Sequence, residues 1–139
     1  MIKTDIIHPE LLSVLAKCGH KTKIVLADSN YSFVTNSAPG ATIIYLNFAP
    51  GMINSPFILE KLLKYINVES ATLMASPADF DNTIEKEYQR LLSPETEFTW
   101  LSREEFYAQA KSSDTLLVIA SGETRRFANI ILTVGVVRV

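Results

Sequence analysis

His20 and Asp28 stand on either side of one short apolar run, Lys23 to Ala27. Histidine is the side chain whose ordinary titration lies nearest neutral pH, and a carboxylate accepts hydrogen bonds or a proton, so the pair has the residue types of acid–base chemistry. Each residue also has a plainer use. A histidine just past a helix end interacts with the last carbonyls and the negative pole of the helix dipole, and an aspartate at a strand end starts turns. Other chemistries are poorly supplied. Two histidines (His8 and His20) and one cysteine are too few soft ligands for a structural zinc site, and no metal is expected. Cys18 falls on the apolar side of a helical pattern, as a small core residue rather than a reactive thiol. The turn Ser121-Gly122-Glu123 lacks the glycine spacing of a phosphate-binding loop, so a nucleotide site is not expected.

Composition narrows the partners. A formal net charge of -2 without a Lys/Arg cluster gives no electrostatic footprint for nucleic acid or an anionic membrane. No apolar run approaches the ~20 residues of a membrane span. The single Cys18 excludes an internal disulfide, and no charged segment followed by an apolar one opens the chain, so a cytoplasmic protein is expected. The 139 residues read as one domain, 1–139, able to bury a core unaided.

The elements that must position the two residues are legible from periodicity. Pro9 to Cys18 reads as a helix, with Leu11, Leu12, Leu15 and Cys18 at helical spacing and Gly19 as a left-handed cap. Lys23 to Ala27 reads as a central strand. The polar stretch Ser29 to Gly40 that follows is long for a small domain, and it leaves a strand end, where ligands of open α/β sheets sit. Further strands are expected at Thr42 to Leu46, Ala71 to Ala75, Phe98 to Leu101, Thr115 to Ala120, Ala128 to Val134 and Val136 to Val139. Helices are expected from Ser55 to Ile66, from Asp81 to Leu92, and from Arg103 to about Ala110 behind the capping box Ser102-x-x-Glu105. This alternation predicts a three-layer α/β/α domain. The last strands follow one another without room for a crossover helix, so at least one antiparallel pairing, and hence a mixed, mostly parallel sheet, is expected.

Several segments, taken in order, resemble the D-ribose pyranase and L-fucose mutarotase (RbsD/FucU) family. They are Pro9-Glu10-Leu11-Leu12-x-Val14-Leu15-Ala16-x-x-Gly19-His20, the strand ending in Asp28, Arg103-x-x-Phe106-Tyr107, Ser121-Gly122-Glu123, Ala128-Asn129-Ile130-Ile131-Leu132 and Gly135-Val136. The match covers the first and last thirds well and the middle loosely, with Glu87-Tyr88 also similar. The resemblance implies an RbsD-like fold and a cofactor-independent isomerase. It implies His20 as catalytic acid/base, Asp28 and Arg103 as sugar ligands, and Phe127, Ala128 and Asn129 as part of the sugar pocket. It also implies toroidal homodecamers with active sites at subunit contacts. Arg103 is more like the fucose-type branch. Two departures stand out: Phe127 where the family typically has Tyr, and Asn30-Tyr31-Ser32 where fucose-type members carry His-Phe-Pro. The first removes a hydroxyl donor: either Tyr31 or a water replaces it, or sugar preference and rate differ from those of better-known members.

The residue types suit that chemistry. Interconverting sugar anomers, or pyranose and furanose rings, requires the ring oxygen to gain a proton while the anomeric hydroxyl loses one, with the reverse on closure. One imidazole can serve both transfers, at the roughly 10²- to 10⁴-fold gain of positioned proton transfer. Asp28 would accept hydrogen bonds from hydroxyls, Arg103 and Asn129 would donate them, and Phe127 or Tyr31 would stack on the ring. An extended chain puts His20 and Asp28 on the order of 20 Å apart. Either the chain folds back after His20, or His20 of one subunit meets Asp28 of its neighbour. The leading expectation is an L-fucose mutarotase. A pyranase acting on D-ribose or another sugar, a non-catalytic sugar-binding or regulatory protein of the same fold, and an α/β interaction module with no site are the alternatives.

Overall fold

The computed structural model describes residues Met1–Val139. The chain runs α1 (Pro9–Leu15), β1 (Lys23–Ala27), β2 (Thr42–Tyr45), α2 (Ser55–Leu62), β3 (Val68–Met74), α3 (Thr83–Leu91), β4 (Glu97–Leu101), α4 (Arg103–Ala110), β5 (Thr115–Ala120) and β6 (Ile130–Val134). The six strands form one sheet in the order β2-β5-β1-β6-β3-β4. Strand β1 pairs in parallel with β5 (Val25 opposite Val118) and antiparallel with β6 (Val25 opposite Ile131). The sheet is therefore mixed and mostly parallel, as expected. The antiparallel contacts are those of β6 with β1 and β3, and β1 lies between the consecutive strands β5 and β6.

Because successive strand side chains point to opposite faces, β1 splits its residues between two cores. Ile24 and Leu26 join Leu117, Ile119, Ile130 and Leu132 beneath α1, α2 and α3. Val25 and Ala27 join Val118 and Ile131 on the other face, against Phe106 and Ala110 of α4 and against Tyr31. Buried on both faces, the central strands read as near-continuous apolar runs. Side-chain caps fix where the helices start. His8 Nδ1 accepts from the Leu11 amide at 3.0 Å, and Asn54, Asn82 and Ser102 do the same for α2, α3 and α4. The Ser102–Glu105 capping box is formed. No helix is long and apolar enough to cross a membrane.

Two expectations fail. Gly19 is not a left-handed cap: α1 ends at Leu15, and Ala16 keeps a right-handed conformation. The amides of Lys17 and Cys18 bond the carbonyls of Val14 and Leu15, so the last turn tightens and the free carbonyls are satisfied without a glycine. The positive φ falls instead on Lys21, at 74°. Nor is Val136–Val139 a strand. The ladder stops because β1 and β3 begin at Lys23 and Val68 and offer nothing further to pair with. Gly135 donates to the Asn67 carbonyl (2.7 Å), and the Asn67 side-chain amide donates to the Val136 carbonyl (2.7 Å), closing the strand end.

Candidate functional site

A cleft of about 280 Å³ opens where β1, β3 and β4 end and β6 begins, lined by Asp28, Asn30, Tyr31, Met74, Arg103, Tyr107, Arg126, Phe127 and Asn129. Asp28 is the first residue after β1 and only 6% exposed. Its amide donates to Asn129 Oδ1 at 2.7 Å, and its Oδ1 accepts from the Asn30 amide at 3.0 Å. The Asn129 side chain, which an apolar strand cannot satisfy, thus finds its buried partner in the start of the neighbouring loop. Burial pushes the Asp28 carboxyl above the usual carboxylate range, against the downward pull of the Asn30 and Tyr31 amides.

Arg103 is the first residue of α4, directed by the capping box into the cleft beside Tyr107, one turn further on the same helix face. Tyr31 packs edge-on against Tyr107, with ring centroids 5.8 Å apart. Its hydroxyl donates to the Asn36 carbonyl at 2.7 Å. That proton is therefore committed, and Tyr31 does not provide the donor that Phe127 lacks. Phe127 has a positive φ of 59° and stacks edge-to-face on Phe80, at 5.0 Å between centroids. A bulky residue in that region costs about 1–3 kcal/mol and persists only where its surroundings impose it.

The surroundings here are a buried polar network under residues 121–129. Glu123 Oε2 accepts from the amides of Thr124 and Arg125 and from Arg125 Nε, at 3.0 to 3.1 Å. Its Oε1 accepts from Arg125 Nη2 (3.1 Å) and from Ser55 Oγ (3.2 Å). Arg125 also pairs with Glu87. The Tyr88 hydroxyl lies 2.6 Å from both Ser55 Oγ and the Ala128 carbonyl. Burial works to raise the Glu123 pKa, but the hydrogen bonds from Arg125 outweigh it and leave the group below the usual carboxylate range. Gly122 is required by proximity, since a Cβ there would lie 2.1 Å from the Met52 carbonyl oxygen.

Five of the residues singled out from sequence, Asp28, Arg103, Phe127, Asn129 and Tyr31, thus meet in one cleft. Ala128 does not line it. It is fully buried beneath, and its carbonyl faces Tyr88. His20 stands apart, at the amino end of β1 whereas Asp28 follows its carboxyl end. It lies beside a separate groove of about 350 Å³ formed with Cys18, Tyr65, Asn67 and the Val134–Val137 segment. Its Nε2 is 3.1 Å from Glu69 Oε2, and Lys21 pairs with the same carboxylate. The chain does not fold back to bring His20 to Asp28. Sequence reasoning passed over Asn30, Met74, Tyr107 and Arg126. The helical step from Arg103 to Tyr107 was the available signal for one of them, and adjacency to Phe127 for another.

A mostly parallel α/β sheet that gathers convergent polar and aromatic side chains at its strand ends defines a small-molecule site of the open-sheet kind. Residues 1–137 match the RbsD / FucU transport protein family, and the chain belongs to it. The chain is 30% identical over 146 residues to human fucose mutarotase, covering 94% of this chain and 90% of that one. It is 32% identical over 138 residues to a D-ribose pyranase of Thermosipho africanus, covering 99% of each. The fold superposes on Bacillus subtilis RbsD complexed with D-ribose with a TM-score of 0.85 and 31% identity, covering 99% of this chain and 100% of that one.

Proposed function

We propose that this protein is a cytoplasmic sugar mutarotase that interconverts the anomers of a monosaccharide, L-fucose ahead of D-ribose, by proton transfer through His20. The observation that carries the reading is the convergence of Asp28, Arg103, Phe127 and Asn129 on one cleft of monosaccharide dimensions in a chain of this family. Asp28 accepts from sugar hydroxyls, Arg103 donates, and Phe127 faces the apolar side of the ring. In each direction the imidazole protonates one oxygen of the hemiacetal and deprotonates the other. Glu69 accepts from Nε2, which leaves Nδ1 as the nitrogen that exchanges the proton. Since His20 and Asp28 lie at opposite ends of β1, the working site takes His20 from a second copy, in a homo-oligomer of the decameric kind. No metal or cofactor enters the reaction.

NMR exchange spectroscopy on L-fucose and D-ribose tests this. The wild type accelerates anomer exchange, and His20→Ala loses the roughly 10²- to 10⁴-fold contribution of a positioned acid/base. Equal rates for the two proteins would overturn the mechanism. A second reading, a sugar-binding protein without catalysis, is favoured by Phe127 and by the Tyr31 hydroxyl's commitment to Asn36. Saturable binding without acceleration would select it.

A further inference from the structure

The charged lining of the cleft is net positive. Its ionisable lining is one carboxylate, Asp28, and two guanidiniums, Arg103 and Arg126. The adjacent arginines 125 and 126 are used differently. Arg125 is tied to Glu87 and Glu123, whereas the ion pairs of the chain include neither Arg103 nor Arg126. Arg126 is held instead by aromatic faces: its guanidinium carbon sits 5.5 Å from the Phe80 centroid and 5.3 Å from that of Phe127. Those two rings pack on each other, and the exposed Arg126 side chain lies over both at the rim of the cleft. A guanidinium held over aromatic rings makes no hydrogen bond to them, and its N–H fork can receive a carboxylate or phosphate through two parallel hydrogen bonds.

We infer that, beyond neutral sugars such as L-fucose and D-ribose, this cleft takes sugars with an anionic substituent, the carboxylate of a uronic acid or a phosphate ester, which the exposed Arg126 grips at the mouth of the cleft. The inference rests on the mutarotase reading for the sugar ring and adds the charged group. Arg126 is then the residue that sets preference between anionic and neutral sugars, with Asp28 and Asn129 left for the ring hydroxyls.

Matched pairs test it: D-galactose against D-galacturonate and D-galactose 6-phosphate, and D-ribose against D-ribose 5-phosphate. Anomer exchange is measured by NMR and binding by calorimetry, for wild type and Arg126→Gln. The expected result is tighter binding and faster exchange of at least one anionic sugar than of its neutral parent. In Arg126→Gln the anionic-to-neutral ratio of kcat/KM falls at least tenfold. Preference for the carboxylate identifies a uronate site, and preference for the ester a sugar-phosphate site. A neutral parent handled as well as every anion, or a ratio unchanged in Arg126→Gln, overturns the inference while leaving the mutarotase reading intact. Anion binding that Arg126→Gln abolishes, with no exchange accelerated, sustains the inference and overturns the catalytic reading. No binding and no acceleration overturns both.

Discussion

Asp28 is where stability and the proposed function would pull against each other. Its carboxyl is buried and its pKa is raised, chiefly by desolvation. A group whose pKa is higher folded than unfolded contributes stability below its unfolded pKa and loses it as pH rises through the folded value, so at neutral pH the ionised Asp28 costs the empty protein stability. The proposed sugar binding would have the opposite requirement, because only the carboxylate is a pure acceptor for hydroxyls. Asp28→Asn is therefore expected to melt at a higher temperature at pH 7 and to bind sugar more weakly. Loss of charged hydrogen bonds of about 1.5–3 kcal/mol corresponds to roughly a 10- to 150-fold rise in KM. Wild-type affinity falls on acidification through a pH above the ordinary carboxylate range, and the variant lacks that limb. Thermal melts and sugar titrations between pH 4 and 8 check both halves; a variant less stable than wild type at pH 7 would contradict the desolvation argument.

Among the elements, the segment from Ser121 to Asn129 supplies Arg126, Phe127 and Asn129 to the cleft, and it has no regular secondary structure. Glu123 is its anchor, 4% exposed against 37% for Arg125. The depressed carboxyl contributes stability that is present above its unfolded pKa of about 4.3 and disappears as pH falls through the lower folded value. Glu123→Gln is expected to lose about 2 kcal/mol at pH 7, since a charge-assisted bond is discounted where its partner is partly solvated. Its urea stability then falls less steeply below pH 5 than that of the wild type; parallel acid limbs would assign the slope to other carboxylates. This segment also marks the limit of what periodicity reveals. The runs of β1 and β5 and the box Ser102-x-x-Glu105 are local patterns with one structural solution, and they were legible. The end of α1 was not, because backbone bonds from Lys17 and Cys18 made a glycine cap unnecessary, and the Val136–Val139 run misled because strands need neighbours. Asp28, Arg103 and Asn129 stood out through the resemblance to the family, the first two at element ends and Asn129 as a polar residue within an apolar run. Arg126 did not, because its meaning depends on Phe80, 46 residues earlier in the chain.

At the scale of the molecule, His20 and the cleft at Asp28 lie at opposite ends of β1, so the proposed mechanism requires that two chains share each site. The proposed association has exposed apolar side chains to draw on: Tyr45, Phe48, Met52, Ile53 and Phe57 are 38% to 85% exposed within one short stretch of chain. Apolar side chains gathered this way mark contact surfaces rather than solvent-facing ones. If each site draws His20 from one chain and Asp28 from another, lesions in the two residues must complement in trans. Homo-oligomers of His20→Ala and of Asp28→Ala are each expected to be impaired. Unfolding the two together in equal amounts and refolding them randomises the subunits. A site then receives an intact residue from both contributors about one time in four, so the mixture recovers about a quarter of the wild-type exchange rate when variant homo-oligomers contribute nothing. Mixing the same proteins without unfolding gives less, to the extent that subunits do not exchange. A site complete within one chain gives no recovery under either protocol, because every chain then carries a lesion. Recovery after co-refolding, read by NMR anomer exchange, therefore separates a shared site from a self-contained one regardless of which sugar is the natural substrate.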